Sequence, residues 1–332
     1  GTIYHFLLPA EGMAAFDKDK VIKQLAPESV KRIKEWRKEF CKPFSKKDAE
    51  RLEQISDAVD RLFAQVVRER VLATQETSDR IPVWGEPPSA QQADLLVRDQ
   101  EEVAASLEDG SSAYRRLKLA MDAWCALWFW PIEEARLLPD RATWIAQMEL
   151  ILKGQVTHEP APQQGNLFAA LTTSSQSEKV AGQGMSGEFV PLHETGAERL
   201  KQLQELSDAF RERRADYLSE CGLADVEKLL TAERSVRTAD EVASQQRFHH
   251  WDLRFAEVFA SRGGFDLTIG NPPWVKLSWN ESAVISDFEP SLEIRKTQAA
   301  KALERRDSIL KDSTVFGLYR SEFEQMEGTQ QF

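Results

Sequence analysis

An amide, two prolines and an indole stand in a row at Asn271, Pro272, Pro273 and Trp274. These residue types suit one kind of chemistry. The exocyclic nitrogen of a planar base is a poor nucleophile, because its lone pair is delocalised into the ring. Two acceptors aimed at its N–H groups draw the nitrogen toward tetrahedral geometry and localise that pair. The Asn271 side-chain oxygen supplies one acceptor, and the Pro272 carbonyl supplies the second. The two prolines fix φ near about −65° and so hold the carbonyl in place. Trp274 offers a flat face for stacking, worth roughly 1–3 kcal/mol per base in single-strand binders. Lys276 follows closely and has the residue type to meet a phosphate, the plainer reading being a solvated lysine. A base must leave its duplex to be read in this way. An electrophilic methyl group held in line with the nitrogen completes an amino-methyl transfer by positioning. The bland alternative is a plain turn, since Asn-Pro and Pro-Pro pairs are strong loop signals.

The elements before the motif decide between these readings. Phe265–Ile269 is a short apolar run with β-branched residues, which predicts a buried interior strand. Gly263 and Gly264 precede it as a turn, and Gly270 relieves crowding where it ends. In open α/β sheets, ligands bind just beyond the carboxyl ends of strands. Asn271–Trp274 therefore falls where chemistry is expected. Upstream, Phe248, Trp251, Phe255, Val258 and Phe259 are dense apolar anchors, with Trp251, Phe255 and Phe259 read as core. His249 and His250 have the residue type of catalytic bases, but histidines at such places more often cap or pack a helix. Asp266 is read as a strand-entry residue.

Most of the remaining chain has a helical period. The apolar opening of residues 1–10 reads as a strand. Residues 17–40 mix charged and apolar residues at helical spacing. Ser45 and Asp48 make a near capping box. From there Leu52, Ile55, Val59, Leu62, Phe63, Val66 and Val67 form one stripe. Helical signals recur at 90–107, 114–130 and 144–152. Residues 154–196 are poor in periodic hydrophobicity and read as a linker. Gly182, Gly184 and Gly187 spell a glycine-rich pattern there, but no strand precedes it. A stripe from Leu200 to Phe210 and a helix over 224–236 suggest an antiparallel hairpin. Residues 308–327 read as two helices broken at Gly317.

Composition narrows the function. The 332 residues carry a net charge of −11. A protein that neutralises many phosphates normally shows a basic face, so this chain is a poor candidate for the main duplex grip. The basic runs Lys31–Lys38 and Arg211–Arg214 read as solvated helix faces. Cys41, Cys125 and Cys221 form no C-x-x-C pair, and the five histidines lack metal-ligand spacing, so no metal site is predicted. No apolar run reaches the roughly 18–20 residues of a membrane span. With no signal segment at its start, the chain is expected in the cytoplasm.

The strand–GNPPW junction resembles the catalytic D/N-P-P-F/Y/W motif of amino-methyltransferases. The wider pattern is similar to the large adenine-specific DNA methyltransferases of the type IIG restriction–modification class. Those proteins carry F-x-W-E-x-x-F-P-E-V-F shortly before G-F-D-x-x-x-G-N-P-P-W/Y. Phe248, His250, Trp251, Phe255, Glu257, Val258 and Phe259 match the first part, and Gly264–Trp274 the second. Ala256 stands where the family commonly has proline, and Asp252 where it has glutamate. Residues 3–13 and 41–63 resemble the helical insertion that such proteins carry. The resemblance implies a mostly α chain with a small α/β part, a piece of a Rossmann-like sheet carrying a large helical insertion. It divides the chain into an insertion (1–153), a linker (154–196), a helical hairpin (197–246) and part of the catalytic domain (247–332). It further implies S-adenosylmethionine as methyl donor and double-stranded DNA with a flipped adenine as substrate. The family's cofactor loop is not written in this sequence, and it is expected upstream, with target recognition downstream. The chain is thus expected to be a central and inactive piece of a longer enzyme. Two other readings fit the residues: methyl transfer to RNA or protein amides, and a non-enzymatic helical scaffold.

Overall fold

The computed structural model describes residues 2–17, 19–77, 112–154, 217, 221–222, 224–271, 278–290 and 305–332. The chain divides into two compact units, Gly1–Gly154 with Ala224–Phe332, and Gln155–Leu223. The first is described below. The helical signals at 90–107, the linker beyond Gly154, its glycine pattern and the 200–210 stripe lie outside the described residues.

Eleven named helices follow one another among the described residues: α1 (Lys20–Leu25), α2 (Pro27–Phe40), α3 (Lys46–Thr77), α4 (Ala113–Ala126), α5 (Arg141–Leu152), α6 (Val226–Ala232), α7 (Arg234–Gln246), α8 (Trp251–Arg254), α9 (Ala256–Arg262), α10 (Glu281–Phe288) and α11 (Ser313–Gln331). No strand occurs among the described residues. The expected sheet is absent there in both predicted places. Residues 5–7 form a 3-10 turn instead of a strand, with Phe6 and Leu7 buried. Indole N–H groups take over what a neighbouring strand would have done. Trp144 Nε1 donates to the Leu7 carbonyl at 3.2 Å and Trp124 Nε1 to the Leu8 carbonyl at 2.7 Å.

The helix boundaries have local causes. The helical span 17–40 splits at Ala26 because Pro27 follows it. A residue before proline is pushed out of the α region, and Ala26 sits at φ −130°, ψ 52°. Ser45 Oγ accepts the Asp48 N–H at 3.1 Å and donates to the Asp48 carboxylate at 2.8 Å, so the predicted cap forms, with the acid bonding the hydroxyl. In α3, Leu52, Ile55, Val59, Leu62 and Val66 are buried. The predicted helix over 224–236 is two, α6 and α7, parted at Glu233 with extended φ and ψ. The predicted break at Gly317 does not occur. α11 runs through it from an Asp312 cap that accepts two N–H groups. A glycine inside a helix costs about 1 kcal/mol against alanine, too little to stop a capped and packed helix.

α4 is the hub, packed against α3, α5 and α7 and against the N-terminal turn. It is buried on nearly every side, Arg116 and Asp122 included. A buried charge needs partners. Arg116 donates from Nε to the Ile151 carbonyl at 2.8 Å and from Nη2 to the Leu152 carbonyl at 2.9 Å, and so caps the end of α5. Asp122 accepts from Lys118 Nζ at 2.5 Å and from His250 Nε2 at 2.8 Å. The second bond ties α4 to the residue that opens α8. Between α7 and His250 the chain reverses at Arg247, in the left-handed region at φ 55°.

α11 closes over the 128–132 segment. A Cβ at Gly328 would meet the Phe129 ring at 2.5 Å, so only glycine fits there. One turn earlier, buried Glu324 accepts the Ile132 N–H at 2.7 Å and lies 3.5 Å from Arg320 Nε. Burial pushes its carboxyl up to about 7, against the opposing pull of the Ile132 N–H and Arg320.

Two predictions follow from these buried groups. A carboxyl whose folded pKa exceeds its unfolded value holds its proton more tightly in the fold. Its contribution is complete below the unfolded value of 4.5 and is lost as pH rises through about 7. Urea titrations across that window should show a loss on the order of 3 kcal/mol from this group, and Glu324→Gln should flatten it. A double-mutant cycle of Asp122→Ala and His250→Ala should return a coupling of roughly 1–3 kcal/mol in unfolding free energy. Additive effects would mean that the bond does not tie the two helices.

Candidate active site

The residues that lead into Asn271 come from α8, α9 and the turn after them. α9 rests on α3. Glu257 lies 3.9 Å from Arg70 Nε, and the Arg70 guanidinium sits over the Tyr114 ring at 5.2 Å. Ala256 and Leu253 are buried beneath. The frame of the lead-in is therefore anchored to the helical core.

The lead-in aromatics divide into two groups. Phe248 faces inward and packs with Phe129 at 5.5 Å and Phe332 at 6.4 Å. Trp251, Phe255 and Phe259 belong to a separate cluster. Trp251 stacks on Phe255 at 5.5 Å, and His249 meets Trp251 edge-on at 5.0 Å. The Phe265 ring stands edge-on to Trp251, Phe255 and Phe259 at 5.9, 5.1 and 5.7 Å. Such edge-to-face pairs are each worth about 0.5–1.5 kcal/mol beyond their buried area. The expectation that these three rings are core needs correction. Trp251 is 53% exposed, while Phe255 and Phe259 are half-buried. The helices α8 and α9 are too short to enclose a ring on both faces.

Gly263 ends α9 in the left-handed region, φ 76°, with its N–H on the Phe259 carbonyl at 2.9 Å. Gly264 at φ 142° completes the reversal. The segment 265–270 then leaves the body. It is not the predicted buried strand: Leu267 is 74% and Ile269 86% exposed. A strand is made by a neighbour's hydrogen bonds, and no strand is present among the described residues to supply them. Phe265 is held by its three aromatic contacts alone. Asp266 is exposed and lies 3.7 Å from Arg262, a surface pair of small consequence.

Asn271 stands exposed at the end of this segment. Pro272, Pro273, Trp274 and Lys276 lie outside the described residues. The two histidines separate by role. His249 joins the exposed rings. His250 is part-buried on Asp122 and positions α8. Sequence reasoning missed Asp122 and Lys118. The signal was a single acid in the apolar stretch after Leu119, with a lysine four residues before it on the same helix face.

Gly263 and Gly270 have nothing within 4 Å of an added Cβ, and Gly12 and Gly328 abut Trp128 and Phe129. The first pair faces open space and the second is core packing. These four glycines form no cradle for the S-adenosylmethionine that the family implies. Among the described residues, no helix is long and apolar enough to cross a membrane.

Residues 138–310 match the family described as Eco57I restriction-modification methylase. The match takes in a little over half of the chain. It includes α5 through α10, the aromatic lead-in and Asn271–Trp274. No curated protein and no solved structure matches the chain. On the extent of that match, the chain belongs to the Eco57I restriction-modification methylase family.

Proposed function

We propose that this chain carries the base-binding half of an adenine-specific DNA methyltransferase. The family is one of restriction–modification DNA methylases. The finer reading, a methyl group moved to the exocyclic amino group of a flipped adenine, rests on one observation. The matched region contains an Asn-Pro-Pro-Trp sequence directly after an apolar run. Family membership favours DNA over RNA or protein acceptors, and an enzyme over a scaffold.

In this reading Asn271 and the Pro272 carbonyl accept the two amino hydrogens, Pro273 stiffens the mount, Trp274 stacks on the base, and Lys276 meets a phosphate. S-adenosylmethionine supplies the methyl group when bound. Residues 1–153 form the helical insertion, 154–196 a linker, 197–246 a hairpin and 247–332 part of the catalytic domain. The alternating Phe265, Leu267 and Ile269 would enter a Rossmann-like sheet once neighbouring strands pair with them. The cofactor loop belongs to that completed domain, so the 332-residue chain alone is expected to transfer no methyl group.

The test uses the product of the native gene and its DNA. Asn271→Ala should lower adenine methylation by roughly 10²–10³-fold, as the loss of one positioned transition-state hydrogen bond does elsewhere. Trp274→Ala should weaken it through base stacking, while Asp266→Ala should leave it near normal. An Asn271→Ala protein that methylates adenine at the normal rate sinks the assignment.

A further inference from the structure

Away from the aromatic cluster, α2 borders an open cleft of about 760 Å³, lined by Glu11, Lys31, Lys34, Glu35, Arg37, Lys38, Cys41 and Lys42. Two of its five cations are committed. Arg37 donates to the Met13 and Ala14 carbonyls at 3.3 and 2.8 Å and pairs with Asp17 at 2.5 Å. Lys42 pairs with Glu39 at 2.5 Å. Lys31, Lys34 and Lys38 are exposed and form no ion pair among the described residues. Their spacing of three and four places them on one helical face.

That face is held rigidly outward. Val30, Ile33 and Phe40 are buried on the opposite side. Trp36 Nε1 donates to the Pro139 carbonyl at 2.7 Å, and Arg141 donates to the Phe40 carbonyl at 2.7 Å and the Pro43 carbonyl at 3.0 Å. Like charges three and four residues apart destabilise a helix by about 0.2–0.5 kcal/mol per pair. In a chain where 54 acids outnumber 43 Lys and Arg, three lysines on one face without an ion pair among the described residues stand out, with Glu11 and Glu35 as the acids of the cleft.

We propose that the α2 lysine face is a contact for the phosphate backbone of duplex DNA. The choice of DNA rests on the methylase reading, and the polyanion character rests on the lysines themselves. Lys31 to Lys38 spans seven residues, or about 10.5 Å of helix axis. One DNA strand carries a phosphate every 3.4 Å or so along the duplex, so this row faces about three of them. The contact reads no sequence. It adds grip beyond the flipped base, in a protein whose net charge opposes DNA.

Cys41 provides a reporter, because it is half-exposed in the cleft whereas Cys125 and Cys221 are buried. The experiment measures maleimide labelling of Cys41 in the 332-residue chain, and duplex binding across a salt series. A duplex of arbitrary sequence should slow labelling in proportion to its occupancy. Replacing Lys31, Lys34 and Lys38 with alanine should reduce the salt slope by about 2.7, three contacts at about 0.9 each. Between about 50 and 200 mM salt the unsubstituted chain should then lose about 40-fold more affinity than the variant. Circular dichroism establishes that the exposed substitutions leave the helices intact. The proposal is overturned by absence of duplex binding, by binding that leaves Cys41 unprotected and the slope unchanged, by equal protection from polyglutamate, or by stronger protection from RNA. None of these outcomes depends on Asn271, so the methylation assay and this one fail separately.

Discussion

A carboxylate buried inside a helical core must be satisfied, and the way Asp122 is satisfied orders much of this molecule. Water is excluded around α4, so its acid needs donors from the protein. Lys118 comes from the same helix and costs little to recruit. His250 comes from 128 residues further along the chain, and recruiting it fixes where α8 begins. Everything between His250 and Asn271 inherits that placement. Arg116 does the same on the other side of α4 by capping α5. The hub thus buries two charged residues, and both specify neighbours. A purely apolar α4 would pack as tightly but would hold α8 and α5 less specifically.

The aromatic cluster carries this placement outward. Its rings do not build a core, since Trp251 and Phe265 remain largely open to solvent. They act as a short bracket from which the chain departs toward Asn271. Phe265 is gripped and Ile269 is free, so control over position decays along five residues. The same exposed alternation that fails to make a strand here is the pattern a sheet would bury. Local sequence and local structure disagree here, beside the residues proposed to meet the base.

Much of the helical frame was legible because periodicity and capping are local. The α3 stripe and the Ser45 cap needed no tertiary knowledge, whereas the split before Pro27 was not read in the span 17–40. The residues of the candidate site were legible for a different reason, since a doubled proline between an amide and an indole has few structural uses. What was not legible depended on partners remote in sequence. Residues 1–10 have strand-like composition, but indoles from α4 and α5 take their carbonyls. Gly317 has the residue type of a break, yet an Asp312 cap and packing against the core carry α11 through it. Trp251 has the residue type of a core residue, and only the shortness of α8 and α9 leaves it exposed. The lysines of α2 look like an ordinary solvated face until they are seen to form no ion pair among the described residues, although Glu11 and Glu35 share their cleft.

Ala256 opens α9 at a position where related methylases commonly place proline. The preceding residue, Phe255, has φ −120° and ψ 37°. Ala26, which precedes Pro27 at the start of α2, has nearly the same angles. The backbone at 255–256 thus keeps a shape that accepts proline while lacking the ring. A proline at a compatible site stabilises by about 0.4–1 kcal/mol, chiefly by restricting the unfolded chain. The start of α9 therefore rests on the packing of buried Ala256, and the unfolded chain keeps a freedom at residue 256 that a proline would remove.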